Sequence, residues 1–112
     1  MGPINVSASA LGARVRAARA VLGISQKELA AMSGVSHPAL NRIERQESSP
    51  RLSTVEAIEE ALRDVGIRFS IDADGNQAMY FSAELIEKLA TKQASGQTVT
   101  SRGGAGGRPA KG

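Results

Sequence analysis

Residues 25–45 place two helix starts in quick succession with a glycine between them, and this feature constrains the fold most. Ser25-Gln26-Lys27-Glu28 is a capping box, in which the serine oxygen and the glutamate carboxylate reciprocally satisfy free backbone N–H groups. The helix it opens carries Leu29, Ala30 and Met32 and stops at Gly34. Ser36 offers a second N-cap, and Pro38 falls in the following first turn, where its missing N–H costs nothing. A third helix then turns Leu40 and Ile43 inward and ends near Arg45. Two short capped helices joined through Met32-Ser33-Gly34-Val35-Ser36 form a helix-turn-helix pattern. Gly34 permits the tight turn, and small residues such as Ala30 allow close approach of the pair.

Such a pair needs hydrophobic support, and the flanking segments supply it. From 11 to 22 apolar residues recur at Leu11, Val15, Ala18 and Leu22, the pattern of a helix with one buried face, and Gly23 ends it. After a loop through Gln46-Glu47-Ser48-Ser49-Pro50, Ser53-x-x-Glu56 reads as another capping box. The fourth helix it opens turns Val55, Ile58, Leu62 and Val65 inward and is stopped by Gly66.

The periodicity then changes to two. Ile67, Phe69 and Ile71 alternate with Arg68 and Ser70, Asp72-Ala73-Asp74-Gly75-Asn76 is turn chemistry, and an apolar run returns over 77–81. Two registers compete. A two-residue Asp74-Gly75 turn places Phe69 opposite Tyr80 and sends Met79 and Phe81 to the polar face. A three-residue loop centred on Gly75 pairs Ile71 with Met79 and Phe69 with Phe81, keeps the apolar residues together and lets Asn76 take a left-handed conformation. The second is the expected register. Ser82 caps a last short helix with Leu85, Ile86 and Leu89 on one side. From about Ala94 the chain lacks apolar groups to offset the entropy of ordering and is expected to be disordered.

The expected architecture is therefore mainly α: a four-helix domain containing the helix-turn-helix over 9–66, a β-hairpin and short helix over 67–93 as a dimerisation element, and a basic Gly-rich tail over 94–112. Only three of the 112 residues are aromatic, so the core must be aliphatic. Without cysteine there is no disulfide and no thiolate metal site, in keeping with a reducing compartment. No apolar run approaches the roughly 20 residues of a membrane span. The expected setting is the cytoplasm. The formal charge of +3 is misleading, because Arg102, Arg108 and Lys111 in the tail account for all of it. Any nucleic-acid reading must rest on residue placement, not bulk charge.

Arg14-Val15-Arg16-Ala17-Ala18-Arg19, Gly23-Ile24-Ser25-Gln26-Lys27-Glu28-Leu29-Ala30, Gly34-Val35-Ser36-His37-Pro38-Ala39-Leu40-Asn41-Arg42-Ile43-Glu44 and Ser49-Pro50 follow one another in an order and spacing that resemble the Cro and phage-repressor (XRE) helix-turn-helix family. The resemblance covers roughly residues 11–66 and implies a lambda-repressor-like fold. It implies double-stranded DNA as partner, with the third helix entering the major groove and the protein nucleoid-associated when bound to DNA. It implies that Gln26 holds a backbone phosphate and buttresses the recognition helix, and that His37, Pro38, Ala39, Asn41 and Arg42 read bases. Arg42 is the leading reader, since a guanidinium can bond guanine O6 and N7 together. Ser36, Arg45 and Arg51 would flank these as phosphate contacts that fix register. Arg19 and Glu44 match the family's structural ion pair. Two departures stand out: many members have glycine where Gln46 stands, so a left-handed exit would strain this residue, and Glu47 near a phosphate would repel it.

The apolar hairpin set, Ile67, Phe69, Ile71, Met79 and Phe81, is the expected homodimer interface, since a lone two-stranded hairpin is marginal in water and family members usually bind palindromic sites as dimers. The leading functional expectation is a transcriptional regulator, a repressor on an operator. The alternative is an antitoxin that binds a toxin protein and regulates its own operon. No triad, carboxylate constellation or phosphate loop points to an enzyme, and no cofactor or metal is expected. Asp72-x-Asp74-x-Asn76 superficially resembles a calcium loop, but its glycine is misplaced and Ala83 stands where glutamate belongs.

Overall fold

The computed structural model describes residues 7–47 and 49–95. Each helix boundary is explained by a specific backbone device. Helix α1 (Ala8–Leu22) begins three residues before the apolar periodicity because the Ser7 hydroxyl accepts the Ala10 N–H at 3.1 Å. It ends at Gly23, whose φ of 70° and N–H bond to Arg19 O (2.7 Å) form a left-handed cap. Helix α2 (Gln26–Ser33) has both capping-box bonds, Glu28 N–H to Ser25 Oγ at 3.0 Å and Ser25 N–H to Glu28 Oε1 at 2.8 Å. Helix α3 (His37–Glu44) starts on the Ser36 hydroxyl with Pro38 in its first turn.

Helix α3 leaves through a Schellman arrangement: Glu47 N–H bonds Arg42 O and Gln46 N–H bonds Ile43 O, both at 3.0 Å. Gln46 occupies the left-handed position with φ 59°, the one non-glycine at positive φ among the described residues. The strain expected of this residue is therefore present.

Helix α4 (Leu52–Asp64) corrects the sequence reading at its start. Arg51, extended at ψ 154°, is the N-cap, its carbonyl takes the Thr54 and Val55 N–H groups, and no side chain caps the helix. Ser53 already lies inside the helix. A capping hydroxyl needs an extended backbone at its own residue, so the Ser53–Glu56 capping box does not form. The inward face is as expected, with Val55, Ile58 and Leu62 buried and Val65 closing the end.

The hairpin joins β1 (Ile67–Ile71) to β2 (Gln77–Phe81) in neither register considered from sequence. Ile67 faces Phe81, Phe69 faces Met79 and Ile71 faces Gln77. The reason is Asp72. Its carboxylate accepts from the N–H groups of Asp74 and Asn76 at 2.9 and 2.8 Å and from the Asn76 side-chain amide at 3.0 Å, while its own N–H bonds Asn76 O. The turn closes one residue earlier than expected, and Gly75 (φ 87°), not Asn76, takes the left-handed conformation. The shift of two positions on β2 preserves the parity, so the apolar residues still share one face.

Helix α5 (Ala83–Ser95) starts on Ser82, whose hydroxyl accepts the Leu85 N–H. It is longer than expected and runs two residues into the segment assigned to the tail, the rest of which lies outside the described residues. Its expected apolar side divides: Leu85 is buried and Leu89 half-buried against the core, whereas Ile86 is 48% exposed. At Gly66 (φ 104°) a Cβ would collide with Ser82 Oγ and Leu85 Cβ, and Gly66 O accepts the Ser82 N–H at 2.8 Å. The glycine thus lets the end of α4 touch the start of α5.

One aliphatic cluster holds these elements together, running from Leu11, Val15 and Leu22 of α1 through Leu29, Leu40 and Ile58 to Ile67 and Leu85. The change at residue 66 is thus one of secondary structure, not of packing.

Candidate nucleic-acid interface

Helix α3 buries Leu40, Ile43 and Glu44 and turns the opposite side to solvent. His37, Pro38 and Arg42 are exposed, and Ala39 and Asn41 are half-buried beside them. The five residues expected to read bases thus share one short helix, with three of them open. Arg42 forms no ion pair among the described residues. It lines an open cleft of about 300 Å³ with Ala39, Ser49, Pro50, Arg51 and Thr54. Two guanidinium groups therefore flank the start of α4, whose first N–H groups no side chain caps among the described residues. Free N–H groups with an unopposed helix dipole suit an anion.

Behind this face runs a polar network. Arg19 Nε donates to Glu44 Oε2 at 2.6 Å and Arg19 Nη2 to Glu44 Oε1 at 2.9 Å, so α1 holds the last turn of α3 with a two-pronged pair. Arg19 also donates to Ile24 O at 3.1 Å. Burial alone would raise the Glu44 pKa. Hydrogen bonds from Arg19 and Gln26, with the charges of Arg19 and Arg16, outweigh it and hold the carboxyl below the usual glutamate range. The same hydrogen bond raises the Arg19 pKa against the effect of burial. Gln26, the first residue of α2, takes His37 Nε2 on its Oε1 at 3.0 Å.

The remaining expected phosphate contacts differ in availability. Ser36 spends its hydroxyl oxygen on the Ala39 N–H as the α3 cap. Arg45 is exposed but faces Glu47 at 3.0 Å, so its charge is shared with a carboxylate of its own loop. Arg51 has no such partner among the described residues.

Two arginines of α1 had no role in the sequence reading. Arg16 Nη1 donates to Glu44 O at 2.9 Å, a cation on the carbonyl end of α3. Arg14 is 7% exposed. Its Nε donates to Gln77 Oε1 at 2.9 Å, its Nη1 to Glu59 Oε2 at 2.8 Å, and its guanidinium lies 4.9 Å from the Phe69 ring centroid. The signal was present, since Arg14 stands three residues after Leu11 and four before Ala18, on the buried arc of the helix. What periodicity could not supply was the partner set, drawn from α4 and both strands.

The hairpin departs from its expected role at Ile67, which is 1% exposed and belongs to the domain's own core. Phe69 and Met79 are half-buried against that core. Of the hairpin and α5, the large apolar groups left open are Tyr80, Phe81 and Ile86, with Tyr80 beside Arg68 on the opposite strand face from Phe81. Among the described residues, no helix is long and apolar enough to cross a membrane. Residues 15–69 match the family model described as helix-turn-helix. No curated protein matches the chain.

Proposed function

The chain belongs, through residues 15–69, to the Cro and phage-repressor type of helix-turn-helix family, and from that premise we propose that it is a repressor that docks α3 in the major groove of an operator. A domain of this family makes the chain a DNA-binding regulator. The observation that carries the finer reading is Arg42, exposed and without an ion pair among the described residues, beside Arg51 and a start of α4 that no described side chain caps. Arg42 reads a guanine, with Asn41, His37, Ala39 and Pro38 completing a short reading face. Arg51 and the first N–H groups of α4 grip a phosphate next to it, while Gln26 approaches a second phosphate from α2. Arg45 contributes less, because Glu47 already engages it.

The repressor acts as a homodimer on half-sites about one helical turn apart. The exposed Phe81 and Ile86 support a contact between copies through β2 and α5. The test is selection of bound duplexes from a randomised pool by the wild type and by Arg42→Ala. The wild type is expected to enrich a two-fold symmetric sequence, and the variant to lose discrimination at one base pair per half-site, by roughly 1–3 kcal/mol. Enrichment of the same sequence by both proteins removes Arg42 from the reading face. Co-purification of a stoichiometric second protein through Phe81 and Ile86, in place of a second copy, supports the antitoxin reading instead.

A further inference from the structure

The contact between α2 and α3 has a direction, and the direction fixes a proton. Gln26, the first residue of α2, presents its Oε1 to the His37 ring at 3.0 Å. An amide oxygen only accepts, so Nε2 is the nitrogen that bears the hydrogen. A neutral imidazole has one N–H, and Nδ1 is then a bare lone pair. The ring is exposed at the first position of α3, and Nδ1 has no hydrogen-bond partner among the described residues. A free surface histidine can swap its hydrogen between nitrogens to suit either a donor or an acceptor. Here the Gln26 amide oxygen removes that choice.

We propose that His37 reads the major groove through Nδ1 as an acceptor, and so selects an exocyclic amino group, adenine N6 or cytosine N4. Guanine O6 and N7 and thymine O4 oppose lone pair to lone pair at the same place. Gln26 is then a positioning residue for specificity as well as a phosphate contact. The inference rests on the reading that α3 enters the major groove.

The experiment is a binding cycle on duplexes in mildly alkaline buffer. Comparison of the sequences selected by wild type and His37→Ala identifies the base pair that His37 reads. At that pair, adenine is then replaced by purine, or cytosine by 2-pyrimidinone, each lacking the amino group. Loss of the amino group is expected to weaken wild-type binding roughly fivefold to tenfold and to leave His37→Ala unaffected, the signature of a direct coupling. Whether adenine or cytosine is selected identifies the amino group. Replacing a purine there by its 7-deaza analogue, which deletes the N7 acceptor, is expected to change nothing. In the free protein, long-range nitrogen–proton NMR is expected to show a protonated Nε2, and Gln26→Leu to relax selection at the same base pair with His37 intact.

A protonated Nδ1, equal loss in both proteins, or loss on deleting N7 but not the amino group overturns the proposal. A wild type that selects no sequence overturns the operator reading itself, a failure distinct from these.

Discussion

At the scale of single residues, the molecule depends on arginines that serve the fold more than the surface. Arg14 joins three elements through a carboxylate, an amide and an aromatic face. Removing one partner of a buried pair leaves the other unpaired, and Glu59 keeps some solvent contact (27% exposed), which moderates the loss. Arg14→Ala is expected to lower unfolding free energy by about 2 kcal/mol, read as a reduced urea midpoint. Glu44 gives a pH signature. Its folded pKa is depressed, so its stabilisation is full above the unfolded glutamate value, about 4.3, and is lost as pH falls through the lower folded value. Thermal melts are expected to fall more steeply with acid below that range in the wild type than in Glu44→Gln. The Arg19–Glu44 pair was legible through resemblance because both residues are local to family motifs. The Gln77 and Glu59 contacts of Arg14 were not, because nothing local in the sequence brings residues so far apart together.

At the scale of elements, success and failure of the sequence reading have a common physical cause. Boundaries set by a side chain next to its backbone target, such as Ser25 with Glu28 or Gly34, could be read directly. The start of α4 and the hairpin register could not, since several local solutions compete there. Ser53 offered a cap, but the helix already starts two residues earlier, on the extended backbone of Arg51. At the hairpin, apolar parity allowed registers differing by two, and only the Asp72 carboxylate separates them. Asp72→Ala is expected to lower the melting temperature and broaden the amide signals of residues 72–76, whereas Asp74→Ala, which leaves the carboxylate bonds in place, is not. The exit of α3 offers a gain instead. Gln46 holds a left-handed φ of 59°, and glycine adopts it without a Cβ penalty. Gln46→Gly is expected to stabilise the protein by about 1 kcal/mol, measured by denaturant titration. An unchanged midpoint would mean that the Ser9 hydroxyl bond to Gln46 offsets the strain.

At the scale of the whole molecule, the position of charge and of open apolar surface determines how the protein meets its partners. The basic excess lies in the tail, so the strength of DNA binding rests on a few placed cations. A shallow dependence of affinity on salt is expected, with Arg51→Ala reducing the log–log slope by about one. The apolar surface left open for the proposed self-association is also narrower than alternation suggested. Phe69 lies under the Arg14 guanidinium and against the core, so Phe69→Asp is expected to unfold the domain. Ile86→Glu is the informative change: sedimentation should show a monomer with an intact circular dichroism spectrum. The shared core has one more consequence, for anyone who would treat the reading head as a portable cassette. Ile67 and Leu85 fill space beneath the supporting helices, so a cut at the end of α4 would leave a hole where two aliphatic side chains belong. The smallest transplantable piece therefore extends through Leu89, and any chimera must carry the hairpin along as ballast for the head.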